Sequence, residues 1–540
     1  MNEAPATMPK ANQTGSVFGG TRLRLALLVM LFLVALGLRL YRIDEPLLDY
    51  QGPRQYRSAL IARALYRYHN PVVPSPQQHV ADANLEINGF REPPVIEVLS
   101  VLGYRMGRGE RLWIPRVLTT LIWLTGAAFL FVLVRRLADA DAALVSTAFY
   151  LLLPYSVFAG RAFMCDPLMV SLFVAALYFV VRYLDAPTRG RFIAAACVSA
   201  AAVLAKPLYC AIPLVLAFTL PALGRRDGET SRAWPIVLLF AAAATVPTVI
   251  YLLLMILTGV GHTIMMVHRN FLLVSLPLKP FFWAGWLTRI ADVTGLPAVF
   301  VALAGIVTFR RGRPRSLVLG LWIGYLLYGL VFTYTAYTHT YYHLLLVPIA
   351  AISVGPPVAM LLRHVVAGVR GPRARTALAT LLVVVATVLS TYAYLYQRRT
   401  AALAGLTPRQ RRDRSFLTAV NPDYTRVVRN AEEIGRAVDH STKVLFISSL
   451  EAYRYYGDFS GRWWPNHRAL RGAEQRGMAE KTAAERLDAH LAEWSPEYFL
   501  IVDPTELDAQ PELKTLLDAR YPVLRRIDEA VIYDLRTPED

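Results

Sequence analysis

The chain has 540 residues, 55% of them hydrophobic, and a formal net charge of +18. Apolar runs near the ~20 residues that cross a bilayer recur along it, which excludes a soluble globular protein and predicts a polytopic α-helical membrane protein. The positive charge calls for no nucleic-acid partner, because basic residues retained on the cytoplasmic side and contact with anionic membrane lipid account for it.

In chain order, the first twenty residues (1–20) are rich in Ala, Pro, Asn, Gly and Thr and read as a disordered cytoplasmic tail. Apolar runs at 24–43, 112–134, 142–159, 167–184, 191–205, 207–223, 234–258, 290–309, 316–335, 343–362 and 376–396 predict about eleven spans in a membrane domain over 21–400. The first lacks a small-residue cleavage site and reads as a retained anchor. Arginines test the arrangement: Arg22 and Arg24, Arg135 and Arg136, Arg182, Arg189 and Arg191, Arg225, Arg226 and Arg232, Arg310 to Arg315, and Arg363 to Arg375 all fall on one side. This holds if Pro93 to Met106, about fourteen residues opened by Pro93-Pro94, is interfacial or re-entrant. The N-terminus is then cytoplasmic.

The other polar residues collect on the opposite face. The first outer loop, 44–111, carries Asp49, Arg54 and Gln55 and then an amphipathic stretch, in which Arg57, Arg63 and Arg67 alternate with apolar residues as in a helix lying in the interface. Asp49 suits either a helix cap or a functional acid. Gly160-Arg161-Ala162-Phe163-Met164-Cys165-Asp166-Pro167 places Asp166 ready to cap the next span, with Pro167 in its first turn. Lys206-Pro207 interrupts an apolar hairpin, and such a lysine takes an anionic partner or snorkels outward. His262, His268, Arg269 and Lys279 precede the eighth span. The ninth ends in Tyr337-Thr338-His339-Thr340-Tyr341-Tyr342-His343, where His339 and His343 can share a helical face, a weak metal signal without carboxylates. Cys165, Cys197 and Cys210 lack metal-ligand spacing and read as packing residues. No metal or other cofactor is expected, although a divalent ion is compatible with the chemistry below. Beyond Gln397, short β-branched and aromatic runs at 443–448, 498–503 and 530–535 alternate with helical segments and predict a soluble α/β domain over 401–540, outside the cytoplasm. It reads as a structural cap or as an acceptor-recognition domain using Tyr453, Tyr455, Tyr456, Trp463 and Trp464.

These residues resemble the GT-C superfamily of membrane glycosyltransferases, in the branch holding protein mannosyltransferases, lipid A aminoarabinose transferases and rhizobial lipopolysaccharide transferases. Asp49 matches the family's aspartate in the first outer loop, and Arg54-Gln55, Ala59 and Ile61-Ala62-Arg63 follow a form found in a bacterial subset. Where other members have Asp-Glu, this chain has Asp49-Tyr50. Phe90-Arg91-Glu92-Pro93-Pro94 is similar to the family's Phe-Glu-Lys-Pro-Pro, with Glu92 in the place of the lysine and Arg91 beside it. Arg116, Gly160 to Asp166, Ala205-Lys206-Pro207, and Tyr341-Tyr342-His343-Leu344 with Pro348 follow in the family's order.

The resemblance covers roughly 25–360. It implies inverting transfer of a sugar from a polyprenyl phosphate donor to a glycan, lipid or protein acceptor of the cell envelope, on the extracytoplasmic face of the inner membrane. Asp49 would be the general base and Asp166 a positioning residue or second carboxylate. Arg54, Gln55, Arg91, Glu92, Arg161, Lys206, His268, Arg269, His339, Tyr342 and His343 would bind substrates. A transporter or flippase for lipid-linked sugars is the alternative. It would favour internal repeats and charges at mid-membrane, neither of which the sequence shows.

Overall fold

The computed structural model describes residues 16–224, 230–258, 272–404, 424–447, 451–474 and 481–538. Among them, seven helices are long and apolar enough to cross a membrane: Thr21–Leu40, Trp113–Leu137, Asp166–Asp185, Ala233–Leu257, Arg313–Val331, Leu346–Val366 and Pro372–Tyr394. Pro280–Thr294 and Leu296–Thr308 form an eighth span if taken together, bent by 87°. The bend has a local cause. Gly295 sits at φ +76°, which an L side chain rarely adopts, and Pro297 brings no backbone donor to the turn that follows. Each of the eleven expected spans corresponds to a helix, but those expected near 142–159 and 207–223 are shorter, at Ala140–Leu152 and Ala211–Leu223. Leu238, Leu239, Val246 and Leu253 stand exposed on one such helix, as a lipid-facing surface requires.

Contacts divide the chain into two compact units whose boundaries cross the sequence. One contains residues 1–41, 120–161 and 166–413, and holds most of the membrane helices. Within it, Trp123 stacks on Tyr150 at 4.5 Å, and Gly160 lies so close to Trp123 that an added Cβ would come within 2.8 Å of the indole. The tight corner therefore requires glycine.

The other unit joins residues 42–119 and 162–165 to residues 414–540. Its C-terminal part is an α/β fold around a five-stranded sheet, β1 (Val444–Ile447), β2 (Gly461–Trp464), β3 (Tyr498–Ile501), β4 (Val523–Ile527) and β5 (Ala530–Asp534), ordered β2-β1-β3-β5-β4. β1 runs parallel to β2 and β3, while β5 is antiparallel to both β3 and β4. Alternate residues feed the two sheet faces: Leu445, Ile447, Phe499 and Ile501 enter one core, and Val444, Phe446, Tyr498 and Leu500 the other. The three runs seen in the sequence became β1, β3 and β5. The missed strands are β2, which begins with glycine, and β4, whose Val523, Leu524, Arg525 and Arg526 are exposed.

The helix Gly52–Arg67, the amphipathic stretch of the sequence, is buried from Gln55 to Ala64. It packs against Ser75–Asn88, Val95–Met106 and the C-terminal helix Glu451–Gly457. Its arginines are consumed by partners. Arg63 Nε lies 2.9 and 3.1 Å from the Glu110 carboxylate, its guanidinium stacks 3.6 Å above the Tyr455 ring, and it donates to the Tyr455 carbonyl. Arg67 bonds Asp458 at 2.8 Å. In the opposite direction, Arg454 reaches Asn84 and Asn88, each at 3.2 Å. A buried charge that loses its partner keeps its desolvation cost. Arg63→Met is therefore expected to destabilise the fold by about 3 kcal/mol, read as a lowered melting temperature of the detergent-solubilised chain; an unchanged melting curve would show that the pairs contribute nothing.

Candidate functional site

The turn before Gly52–Arg67 is gripped from several sides. Arg116, in the first turn of Trp113–Leu137 and fully buried, donates from Nη1 to the carbonyls of Ile43 and Glu45, both at 3.0 Å. Its Nη2 lies 2.7 Å from Asp49 Oδ1. Gln55, also fully buried, donates to the Tyr50 carbonyl and lies 3.4 Å from Asp49 Oδ1, while its own Oε1 accepts from Phe163 N at 2.9 Å. The Arg54-Gln55 pair of the sequence pattern thus divides its work, with Gln55 tying Asp49's turn to the 162–165 segment. Gln51 adopts φ 43° and ψ 51°. A left-handed conformation in a residue with a side chain costs free energy and is held only when its surroundings determine it.

Arg54 lines a small cleft together with Arg57, Ser58, Arg91, Glu92, Glu97 and Cys165. Its Nη2 meets Glu92 at 2.7 Å. Arg57 donates to the carbonyls of Asn88 and Gly89 at 2.8 and 3.0 Å, and its Nη1 stands 4.0 Å from Glu92. Burial, and then the neighbouring Arg91, lower the Arg57 guanidinium to about 9. Burial likewise raises the Glu97 carboxyl above its ordinary range. Neither Arg57 nor Glu97 belonged to the candidate set; only the i, i+3 spacing from Arg54 could have placed Arg57 beside Glu92.

The remaining candidates lie in the membrane unit. Asp166 opens Asp166–Asp185 and bonds Lys206 Nζ at 2.5 Å, both side chains almost fully buried. The ammonium stands 4.3 to 4.9 Å from the ring centres of Tyr209, Tyr341 and Tyr342. Lys206 therefore takes the anionic partner and does not snorkel. Arg161 donates to the Arg39 and Tyr41 carbonyls at 3.2 and 2.6 Å, where a cation complements the end of Thr21–Leu40. His339 and His343 share no α-helical face, because His339 is extended and Thr340–His343 is a 3₁₀ turn. His343 uses both ring nitrogens: Nε2 faces the Ala336 carbonyl at 2.7 Å and must carry the proton, leaving Nδ1 to accept from Tyr325 at 2.6 Å. His268 and Arg269 lie outside the described residues. Among those described, no three His, Cys, Asp or Glu side chains gather as a metal site.

The long apolar helices and the small C-terminal sheet define a multi-pass membrane protein with an α/β part. Residues 91–252 match the family model described as dolichyl-phosphate-mannose-protein mannosyltransferase. Solved structures agree over nearly the whole chain. ArnT from Cupriavidus metallidurans, bound to undecaprenyl phosphate, has a TM-score of 0.58 at 17% identity, covering 94% of this chain and 98% of its own. The Archaeoglobus fulgidus oligosaccharyltransferase tethered to an acceptor peptide has a TM-score of 0.52 at 12% identity, covering 93% and 72%. AglB from the same organism, with an inhibitory peptide and a dolichol-phosphate, has a TM-score of 0.50 at 13% identity, covering 92% and 72%. No curated protein matches the sequence. The chain thus shares the fold of these membrane enzymes, and its residues 91–252 carry the similarity to the mannosyltransferase family model.

Burial pushes the His343 imidazole, which lies between two spans, down to about 4, against ~6.5 in an unfolded chain. Between those values the unfolded chain binds a proton that the folded chain does not. The stability contribution is therefore complete above pH ~6.5 and is lost as pH falls toward 4, by about 3 kcal/mol in all. The wild-type melting temperature should fall more than that of His343→Gln between pH 7 and pH 5; parallel curves would count against a neutral buried His343.

Proposed function

We propose that the protein transfers a sugar from a polyprenyl phosphate donor to an envelope glycan, lipid or protein, on the extracytoplasmic face of the inner membrane. The observation that carries this reading is Asp49, held by buried Arg116 in the turn that precedes Arg54, with Arg54 lining a cleft together with Arg57 and Arg91. The bound undecaprenyl phosphate and dolichol-phosphate of the ArnT and AglB structures support the donor class.

In the proposed step, an acceptor O–H or N–H gives its proton to Asp49 as the heteroatom attacks the anomeric carbon. The bond from that carbon to the phosphate oxygen breaks on the opposite face, so configuration inverts and the polyprenyl phosphate departs with the electron pair. A base fixed within hydrogen-bond reach contributes typically 10²–10⁴-fold to such a step. Charge building on the departing phosphate is met by Arg54, Arg57 and Arg91, since preorganised cations act most strongly where charge develops. Asp166 acts through Lys206 as a positioning pair, and no step is assigned to a metal. The C-terminal domain lies on the extracytoplasmic side and the N-terminus in the cytoplasm, as the arginine pattern directs.

The test is transfer from radiolabelled polyprenyl phosphate sugars in membranes carrying wild type or Asp49→Asn, against a cell-envelope lipid and glycan extract. Loss of about 10²–10⁴-fold in the variant, with protein level and carrier binding intact, is expected. Full activity in Asp49→Asn would move the base elsewhere, and no transfer by either protein would favour carriage of the lipid-linked sugar over its transfer.

A further inference from the structure

The C-terminal domain reaches toward the Asp49 turn through two hydroxyls. Leu47, two residues before Asp49, donates its backbone N–H to the Tyr56 hydroxyl at 3.0 Å. Tyr56, fully buried, in turn donates to the Tyr456 hydroxyl at 3.0 Å. Tyr456 stands on Glu451–Gly457, the helix that leads into β2 and is braced by the Arg454 and Arg63 contacts. Both rings are set by packing: Tyr56 lies 5.5 Å from Tyr455 and 5.7 Å edge-on to Tyr456.

The other anchors of the turn come from residues near it in the loop or the first turn of the next span. Arg116 holds the carbonyls of Ile43 and Glu45, and Gln55 that of Tyr50. An N–H anchor is different in kind, because Arg116 and Gln55 take carbonyls of the turn, whereas the Tyr56 hydroxyl takes the Leu47 amide. Tyr56 has one proton. Its accepting geometry toward Leu47 is fixed only while that proton has a set destination, and Tyr456 supplies it.

We infer that Tyr456 is a positioning residue for Asp49, so that the C-terminal domain, about 400 residues downstream by the separation of the two tyrosines, holds the catalytic turn in register. Its role is thereby more than that of a cap or an acceptor-binding surface. The inference rests on the proposed role of Asp49 for its catalytic half only, since the mechanical half concerns the order of the turn itself.

Hydrogen exchange of the full-length protein in detergent tests the mechanical half. Tyr456→Phe removes one oxygen and keeps the ring. The 45–52 peptide should exchange about 10-fold faster in this variant, while the 483–494 helix is unchanged. Tyr56→Phe should do the same, and the double variant should be no worse than Tyr56→Phe alone, because one hydroxyl acts through the other. Trp463→Ala, at an exposed site on β2, serves as the control that leaves 45–52 unchanged. Transfer from the radiolabelled polyprenyl phosphate sugars tests the catalytic half: Tyr456→Phe should lower kcat about 10-fold with donor KM unchanged. Unchanged exchange at 45–52, additive effects in the double variant, or faster exchange with unaltered kcat would each overturn the inference. Full activity in Asp49→Asn would instead overturn the assignment of the base, and would leave the exchange result to judge the coupling separately.

Discussion

A buried guanidinium organises the loop that carries Asp49. Arg116 is fully enclosed, and an arginine in that state must find carbonyl or carboxylate partners for its donors. It finds them along one stretch of chain, at Ile43, Glu45 and Asp49. The loop leaving the first span is therefore wrapped about a fixed cation at the start of the next. Much else follows from that constraint: Asp49 has its orientation set before any substrate arrives, Gln51 is held left-handed, and helix Gly52–Arg67 starts at a defined place. Preorganisation of this kind is where an enzyme of the proposed type gains rate, because no reorganisation is then needed as charge moves.

Much of the fold was legible in the sequence, for a physical reason. Lipid demands long apolar helices with satisfied backbones, and that demand leaves an unmistakable pattern. The α/β character of the C-terminal part was legible where β-branched runs are buried on both sides, as in β1, β3 and β5, and illegible in β4, whose side chains are mostly exposed. The amphipathic stretch after Asp49 carried a misleading signal. Arg57 and Arg63 read as a polar, water-facing stripe, yet they are buried because Glu92, Glu110 and Asp458 come to them from distant segments. Periodicity reports that a residue is polar; it does not report whether water or another side chain satisfies it. The grouping of residues 42–119 with 414–540 was hidden for the same reason, since it rests on individual pairs such as Arg454 with Asn84.

The candidate site divides along the same line. Asp49 and Arg54-Gln55 could be picked out because a motif concentrates them. The roles of Lys206, Arg161 and His343 could not, because residue type alone does not reveal partners. Each is committed to a contact inside the membrane unit: Lys206 to Asp166 among three tyrosine rings, Arg161 to the last carbonyls of the first span, His343 to a tyrosine and a carbonyl. Where little water is available, polar groups are expensive unless paired, so these contacts act first on the shape of the helix bundle. Any influence on a substrate passes through that shape.

Glu92 is the sharpest departure from the pattern that the sequence resembles, since it puts an acid where that pattern has a lysine. On its own it would weaken the hold on a phosphate. The cleft, however, contains Arg54, Arg57 and Arg91 against Glu92 and Glu97, and burial biases Glu97 toward its neutral form. Positive charge therefore remains in excess, and its placement is changed more than its sign. Glu92 holds Arg54 at 2.7 Å and stands 4.0 Å from Arg57, so it aligns two planar cations where the family has one flexible ammonium. A guanidinium offers donors in a fixed fork that matches a phosphate, whereas an ammonium acts as a point charge. For the proposed reaction, the carboxylate in this motif is thus better understood as part of the frame that orients the arginines than as the loss of a phosphate contact.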